Sequence, residues 1–234
     1  GSGWGGLAHD LRRDGKADVL GITLSTEQLA MANARARAAG LAERCRIEVA
    51  DYRAIKGPFD RVVSVGMFEH VGVKYYDAFF ATLRDLLTPD GVALLHTIGR
   101  ADGPGATNPW TAKYIFPGGY SPAMSEVLTA IERSGLYVTD VEVLRLHYAE
   151  TIKEWRSRFR RNWAKAAALY DERFCRMWEF YLAGAEMGFR YGRLVVFQFQ
   201  LAKRLESLPL TRDYMFDSER AGRFAHRSRT GKAA

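Results

Sequence analysis

Two acid–base side chains stand at the ends of apolar segments whose composition is that of buried strands. Glu69 follows the segment at residues 59–65, and His96 ends the segment at residues 92–96. In an open α/β sheet, ligands bind at the carboxyl ends of the strands. We therefore expect Glu69 and His96 to lie at one edge of a sheet and to share a site for acid–base chemistry.

A glycine-rich turn, Gly1-Ser2-Gly3-Trp4-Gly5-Gly6, opens the chain. Such glycines let the backbone approach a nucleotide-like ligand closely and leave N–H groups available to it. A dinucleotide-binding fold would also carry an acidic residue about 20 residues further on. Residues 21–25 contain no carboxylate, which disfavours a nicotinamide dehydrogenase. Asp51 and Tyr52 could instead bind the amino group and ring face of an adenine, although a solvated loop acid is the alternative for Asp51.

The composition is that of a globular protein with an excess of positive charge. The chain has 234 residues, 47% of them hydrophobic, and a formal net charge of +7. This charge favours an anionic partner, and nucleic acid, an acidic membrane surface and a phosphorylated substrate all qualify. Cys45 and Cys175 are far apart and lack metal-site spacing, which fits a reducing cytoplasm. No apolar run approaches the roughly 20 residues of a membrane span.

The order of the predicted elements indicates an α/β fold. Apolar segments predict strands at 17–22, 46–50, 59–65 and 92–96, and helices are expected at 7–13, 26–39, 73–87 and 121–134. Ser25 is a candidate N-cap and Gly40 a candidate stop for the second helix. Residues 89–91 predict a turn. Apolar strands that alternate with helices favour a parallel sheet covered on both faces.

The second half of the chain predicts additions to this sheet. Residues 137–146 and 194–201 alternate in hydrophobicity and could form an antiparallel pair at the sheet edge. Residues 100–120, rich in glycine and proline, suit a lid or substrate loop. The domain is expected to span 1–203, with a helical insertion at about 149–190, and the basic tail at 204–234 is expected to be flexible.

Within the insertion, residues 153–165 combine basic side chains with an aromatic stripe. Trp155, Phe159 and Trp163 recur every four residues and so share one face of a helix. A basic helix of this kind can lie on anionic lipid. In the alternative, which we favour slightly for the aromatic side chains, the stripe packs on the domain or lines a pocket for an acyl chain.

Four segments in order, at residues 1–8, 21–28, 65–72 and 96–98, carry a resemblance to a known family. They resemble the cyclopropane-fatty-acyl-phospholipid synthase family, which includes the mycolic acid cyclopropane synthases, over residues 1–203. The resemblance implies a Rossmann-like class I methyltransferase, with a mostly parallel twisted sheet, an antiparallel edge strand and a helical insertion. The first strand of the family's sheet is missing from this chain. We therefore expect unpaired strand edges, and poor activity or solubility of the chain by itself.

The same resemblance implies two sets of site residues. S-adenosylmethionine would be held by Gly1, Gly3, Thr23, Leu24, Ser25, Gln28, Asp51 and Tyr52. A bicarbonate ion would be held by Glu69, His96, Ile98 and Tyr148, with His70 as a supporting neighbour. Many members add a cysteine that lies upstream of the glycine turn, and neither Cys45 nor Cys175 takes its place. Without the resemblance, Glu69 could be a helix-start carboxylate, His96 a core histidine and Tyr148 a packing residue.

The implied reaction transfers a methylene group from S-adenosylmethionine to the cis double bond of an unsaturated acyl chain, forming a cyclopropane ring, with bicarbonate as the base. The expected partner is unsaturated phospholipid at the membrane surface and not nucleic acid. The expected location is cytoplasmic, peripheral at the inner face of the membrane, and a homodimer is left open. One alternative is C-methylation of another lipid or small molecule without ring closure. A non-enzyme alternative is a basic nucleic-acid-binding protein.

Overall fold

A computed structural model of the chain describes the backbone of residues 1–230 and the side chains of residues 1–222. Strands and helices alternate along the first half of the chain, and three helices lie between the last two strands, as expected. The strands are β1 (Val19–Thr23), β2 (Cys45–Val49), β3 (Phe59–Val65), β4 (Leu87–Arg100), β5 (Tyr137–Val143) and β6 (Leu194–Ala202). The helices are α1 (Gly6–Arg13), α2 (Thr26–Ala38), α3 (Tyr76–Leu86), α4 (Pro109–Tyr114), α5 (Met124–Ser134), α6 (His147–Arg161), α7 (Trp163–Leu169), α8 (Glu172–Arg190) and α9 (Asp213–Thr230).

The strands form two sheets. β1 and β2 pair in parallel, and the second sheet has the order β3-β4-β6-β5. β3 and β4 are parallel, whereas β6 is antiparallel to both β4 and β5. The predicted parallel sheet and its antiparallel edge are therefore confirmed.

A cleft separates the two sheets. Leu20 and Ile22 of β1 and Arg61 and Val63 of β3 line it from opposite sides, and it encloses about 630 Å³. Among the described residues, no strand lies between β1 and β3, so the facing edges of these strands are unpaired. Val63 remains 39% exposed as a result, although the apolar segment around it predicts a buried strand.

Two apolar clusters stabilise the larger sheet. One lies between the sheet and helices α3 and α5, and its fully buried members include Phe68, Phe80, Ile131 and Phe199. The other lies between α6, α8 and strands β4 and β6. The second cluster fixes the helical insertion on the face of the sheet that carries Ile98.

The structure differs from the prediction in the turn at residues 89–91. These residues lie inside β4, which pairs Leu87 with Phe59 and Val92 with Arg61. β4 thus advances five residues while β3 advances two, and the extra residues form a bulge instead of a turn that precedes the strand. Proline and glycine in the sequence indicate the irregularity but not its position within a strand.

The tail also differs from the flexible chain that its composition predicts. α9 occupies Asp213–Thr230, and the preceding Arg212 donates to Asp140 on β5 at 2.7 Å. The Tyr214 hydroxyl donates to Gln200 Oε1 at 2.9 Å. These bonds dock the start of the tail on the sheet. Residues 231–234 of the predicted tail lie outside the described residues.

Candidate active site

A cleft at the carboxyl ends of β1, β2 and β3, called here the strand-end cleft, has a volume of about 630 Å³. Seven of the eight residues predicted to hold a cofactor line it, namely Gly1, Gly3, Thr23, Leu24, Gln28, Asp51 and Tyr52. Ser25 is the exception. Its hydroxyl caps α2 by accepting the Gln28 N–H at 3.1 Å, and it donates to Glu27 at 2.8 Å.

The side chains of Thr23 and Gln28 are bonded to each other in this cleft. The Thr23 hydroxyl donates to Gln28 Oε1 at 2.6 Å and accepts the Ser25 N–H at 3.1 Å. The Gln28 amide is thereby oriented with its oxygen toward Thr23. Its NH₂ group remains as a donor for a ligand hydroxyl or carboxylate.

Asp51 is held by a neighbour that the sequence pattern does not indicate. Arg53 donates to both carboxylate oxygens of Asp51, at 2.9 Å and 2.6 Å, and also to Oδ1 through its backbone N–H. These bonds hold the pKa of Asp51 at about 2. The carboxylate is therefore ionised and oriented, and its remaining lone pairs can accept from an amino group.

Further lining residues come from the segment that follows β3. Met67, His70, Val71 and Tyr75 line the strand-end cleft, and Gly66 turns the chain at a φ of 65°. A positive φ at this position favours glycine over residues with a side chain. The sequence motif at 65–72 contains all of these except Tyr75, but only Glu69 and His70 were predicted to take part in a site.

Glu69 lies in a short 3₁₀ turn, Phe68–His70, between Met67 and His70, which both line the strand-end cleft. The pairing of β3 with β4 ends where the Gly66 N–H donates to the His96 carbonyl at 3.1 Å. The next donor on that side of β4 is the Ile98 N–H, and it donates to Glu69 Oε1 at 2.7 Å. Glu69 Oε2 is buried and has no hydrogen-bond partner among the described residues. One carboxylate oxygen is thus anchored while the other is free to accept.

Tyr148 on α6 joins this neighbourhood from the helical insertion. Its ring packs against Phe189 and Trp155, at centroid distances of 5.0 and 5.7 Å, in the same apolar cluster as Ile98. Burial, and then the negative charge of Glu69, raise the pKa of the Tyr148 hydroxyl. The structure therefore brings Glu69, Ile98 and Tyr148 together, and it keeps the phenol protonated beside the carboxylate.

His96 is placed beside this group through β4, two residues before Ile98 on the same strand. Its Nδ1 lies 3.1 Å from Gln198 Oε1 on β6. Among the described residues it makes no hydrogen bond to Glu69 or to Tyr148. Gln198 is a site neighbour that the sequence does not predict, because it lies 102 positions away along the chain.

A row of aromatic rings connects the strand-end cleft with the insertion. His70 contacts Phe116 at 6.1 Å, Phe116 contacts Tyr181 at 5.8 Å, and Tyr181 contacts Trp178 at 5.2 Å. Burial raises the pKa of Tyr181 to about 12, so its hydroxyl stays neutral. This wall is apolar and suits a hydrocarbon chain.

The aromatic stripe of residues 153–165 packs on the domain, as the alternative interpretation expects. Phe159 belongs to the cluster under the insertion, and Trp155 contacts Tyr148. Two of its basic side chains, Arg156 and Arg160, form ion pairs with Glu179 on α8 at 2.9 and 2.7 Å. Trp155 remains 46% exposed, so the stripe packs on the domain only in part, and contact of this helix with lipid stays a prediction.

A profile of the mycolic acid cyclopropane synthetase family matches residues 1–199. The chain belongs to this family. It is 40% identical to a probable fatty acid methyltransferase of Pseudomonas putida, over 92% of this chain and 58% of that protein. It is 38% identical to the cyclopropane-fatty-acyl-phospholipid synthase of Escherichia coli K12, over 88% of this chain and 53% of that protein. The chain spans about half the length of these curated relatives.

Solved structures of the family confirm the fold. The cyclopropane synthase MmaA2 of Mycobacterium tuberculosis superimposes with a TM-score of 0.81 at 32% identity, over 87% of this chain and 76% of that one. The mycolic acid cyclopropane synthase CmaA1 complexed with SAH and CTAB gives 0.76 at 32% identity, over 86% of this chain and 75% of that one. The predicted family and class I methyltransferase fold are thus confirmed. Family membership favours an enzyme over a basic nucleic-acid-binding protein.

Proposed function

We propose that this chain carries the catalytic centre of an S-adenosylmethionine-dependent enzyme that adds a methylene group across the cis double bond of an unsaturated phospholipid acyl chain. The product is a cyclopropane ring. The observation that carries the proposal is Glu69, with one oxygen anchored by Ile98 and the other buried, free and close to a protonated Tyr148. Glu69 and Tyr148 can accept and donate protons, and they lie next to a cleft that suits a nucleoside ligand.

The strand-end cleft is the proposed site for S-adenosylmethionine. The Gln28 amide donates toward the ligand, Asp51 accepts, and Gly1 and Gly3 let the backbone approach it closely. When bound there, S-adenosylmethionine supplies an electrophilic sulfonium methyl group. The solved structure of the related CmaA1 complexed with SAH supports this assignment.

The polar groups around Glu69 suit a small anion that carries a hydroxyl hydrogen, such as bicarbonate. Glu69 Oε2 is an acceptor without a partner, and the Tyr148 hydroxyl is a donor. The Ile98 N–H is already used by Glu69, so it would not hold the anion in this arrangement. Bound bicarbonate would supply a mild base, and Glu69, His96 and Tyr148 would orient it and keep water out.

The acyl chain is proposed to lie along the aromatic row from His70 to Trp178. The hydrocarbon needs an apolar wall, and the double bond must reach the space between the strand-end cleft and Glu69. Phe116 and Tyr181 lie between these two ends of the row. Their position favours a long-chain substrate over a small polar one.

We propose that the membrane-facing surface lies on α8. An exposed stripe at three- and four-residue spacing contains Arg173, Arg176, Phe180, Gly184, Met187 and Tyr191. Phe180 is 62% exposed and contacts Trp110 of α4 at 4.8 Å. Exposed aromatic and basic side chains together suit an anionic lipid surface. None of the helices in the described part of the chain is long and apolar enough to cross a membrane.

A second candidate reaction is C-methylation without ring closure. Relatives of this chain include the tuberculostearic acid methyltransferase UfaA1 of Mycobacterium tuberculosis, at 41% identity, and a sphingolipid C9-methyltransferase of Emericella nidulans, at 34%. Both candidates use the same donor and the same proton-handling group. They differ in whether the proton leaves with ring closure.

The reaction is tested by incubating the purified full-length protein with dioleoyl phosphatidylglycerol vesicles and S-adenosylmethionine, followed by mass analysis of the acyl chains. Both candidates add the mass of one CH₂ group. Mild catalytic hydrogenation separates them, because a methylated alkene takes up hydrogen and a cyclopropane ring resists it. A product that takes up hydrogen overturns the ring in favour of the second candidate, and the absence of any CH₂ addition overturns both.

The membrane surface is tested by vesicle co-sedimentation. The double variant Arg173→Glu with Arg176→Glu is expected to lose binding to phosphatidylglycerol vesicles. The charge-matched control, Arg37→Glu with Arg46→Glu, changes exposed arginines on α2 and β2 and is expected to bind more strongly than the α8 variant. Equal losses in the two variants would mean that net charge, and not the α8 surface, directs the protein to lipid.

A further inference from the structure

Three polar side chains stand side by side across β4, β6 and β5. The register pairs His96 with Gln198, and Gln198 with Glu142. His96 Nδ1 lies 3.1 Å from Gln198 Oε1, and Gln198 Nε2 donates to Glu142 Oε2 at 2.8 Å. The three side chains therefore form a continuous hydrogen-bonded row that ends at the reaction site.

The chemistry of the row fixes the position of one proton. An ionised carboxylate only accepts hydrogen bonds, so Glu142 requires the NH₂ end of the Gln198 amide. The carbonyl end of Gln198 must then face His96. Because a carbonyl oxygen also only accepts, Nδ1 of His96 must be the donor, and a neutral His96 carries its proton on Nδ1.

We propose that Gln198 and Glu142 are positioning residues that hold neutral His96 as the Nδ1–H tautomer and leave the lone pair of Nε2 for the reaction. The two ring nitrogens of an imidazole diverge, so Nε2 is directed away from Gln198 and β6. His96 thus offers the site an acceptor, not a donor, while it is neutral.

The role of the Nε2 lone pair as a proton acceptor during the reaction rests on the proposed function. Methyl transfer and ring closure together release one proton for each methylene group added. In our proposal this proton passes to Nε2 of His96 by way of the base that bound bicarbonate would supply, and then to solvent. The imidazolium that forms keeps its Nδ1–H bond to Gln198, and the Glu142 carboxylate at the far end of the row stabilises its positive charge.

The tautomer can be measured without turnover. Long-range ¹H–¹⁵N spectra of the protein with ¹⁵N-labelled histidine distinguish Nδ1–H from Nε2–H rings, and His96→Gln identifies the His96 signals. At a pH of about 8.5, where histidine is ordinarily neutral, we expect the Nδ1–H pattern for His96. An Nε2–H pattern in the unaltered protein overturns the proposal.

Variants of the row separate positioning from packing. Gln198→Leu removes the acceptor that faces His96 Nδ1. Glu142→Gln allows the Gln198 side-chain amide to rotate by half a turn, so that its NH₂ group can face His96. Both variants are therefore expected to shift His96 toward the Nε2–H tautomer. The exchanged pair, Gln198→Glu with Glu142→Gln, keeps an acceptor against His96 and a donor behind it. It is expected to restore the Nδ1–H pattern. Unchanged tautomers in both single variants would contradict the proposal, as would failure of the exchanged pair to restore the pattern.

Turnover gives the second readout. Gln198→Leu is expected to slow methylene transfer about tenfold or more, with the KM for S-adenosylmethionine unchanged, and the exchanged pair is expected to recover most of the rate. If Gln198→Leu folds poorly, Glu142→Gln at the exposed end of the row supplies the same comparison. If the unaltered protein transfers no methylene group, the proposed function fails, whereas the tautomer spectra still decide the role of Gln198 and Glu142.

Discussion

The strand-end cleft and the group around Glu69 are built in different ways. In the cleft, the decisive contacts are local. Thr23 bonds Gln28 five residues away, and Asp51 bonds Arg53 two residues away. Around Glu69 the contacts are long-range. Its anchor at Ile98 is 29 residues away.

This difference separates the expected effects of substitutions. The cleft holds a ligand with oriented polar groups, each of which contributes a part of the affinity. The Glu69 group (Glu69, Ile98 and Tyr148) is proposed to transfer protons, so a substitution there affects the reaction step more than the binding of S-adenosylmethionine. Substitutions in the two regions should therefore change different kinetic constants.

The largest effect is expected from Glu69→Gln. The new amide can still accept from the Ile98 N–H, but an NH₂ donor replaces the free acceptor Oε2. Because acid–base groups contribute about 10²- to 10⁴-fold, turnover should fall by that order. The affinity for S-adenosylmethionine, measured by calorimetry, should stay within about twofold of the unaltered value, well under 1 kcal/mol. Glu132→Gln, which changes an exposed carboxylate on α5, is the control.

Retained turnover in Glu69→Gln would contradict a role of Glu69 in the reaction, since the buried carboxylate would then be a structural anchor for β4. A large loss of affinity for S-adenosylmethionine would contradict the separation of the two regions. It would place Glu69 in the same functional unit as the strand-end cleft.

Tyr148→Phe should have the next largest effect. The ring keeps its contacts with Phe189 and Trp155, but the hydroxyl that would donate to the bound anion is lost. The loss of one hydrogen bond to a charged ligand corresponds to about 10- to 100-fold in turnover. A rate equal to that of the unaltered protein would make Tyr148 a packing residue.

The pH dependence of stability gives a second measurement on Tyr148. Burial raises the pKa of this phenol above its ordinary value of 10.0, so folding favours its neutral form. The resulting stability is complete below pH 10.0 and is lost as the pH rises through the folded-state pKa. Tyr148→Phe should therefore lose less thermal stability than the unaltered protein above pH 10. Tyr191→Phe, at a position 80% exposed, is the matched control.

Asp51→Asn should affect the cleft and leave the Glu69 group unchanged. The asparagine keeps one acceptor but loses the charge and the ion pair with Arg53. We expect the affinity for S-adenosylmethionine to fall by up to about tenfold, with kcat retained at saturating donor. Because the pKa of Asp51 is about 2, its contribution should be constant at neutral pH and decline only in strong acid. Asp85→Asn, which also breaks a pair with a neighbouring arginine, is the control.

A fall in kcat at saturating donor would show that Asp51 acts beyond binding. The sharp division between the two regions would then be wrong. An unchanged affinity would instead mean that Asp51 serves to fix Arg53.

The local character of the cleft explains why its residues are visible in the sequence. The segment after β1 and the Asp51-Tyr52 pair each follow a strand directly, and the carboxyl ends of parallel strands meet at one edge. Strand prediction is therefore sufficient to bring these segments together. Arg53 was not predicted because an arginine two residues after an aspartate has no distinctive pattern.

The partners of His96 could not be predicted in the same way. The antiparallel pairing of residues 137–146 with 194–201 was expected, but its register relative to β4 was not. A shift by one residue would turn Gln198 to the opposite face of the sheet. That register depends on packing under the insertion and on the extension of β4 to Arg100, neither of which leaves a local pattern. The docking of the tail through Arg212 and Tyr214 was missed for the same reason.

Ser25→Ala has the smallest expected effect, and it tests whether Ser25 belongs to the residues that bind the ligand in the strand-end cleft. The sequence allowed Ser25 two roles, a helix cap and a cofactor ligand, and the structure places its hydroxyl on the Gln28 N–H. Loss of an N-cap costs about 1 kcal/mol, so Ser25→Ala should lower the free energy of unfolding by that amount. Donor affinity should stay within about twofold of the unaltered value, well under 1 kcal/mol. Ser125→Ala, exposed on α5, serves as the control. A tenfold loss of affinity at unchanged stability would return Ser25 to the ligand set that the sequence predicts.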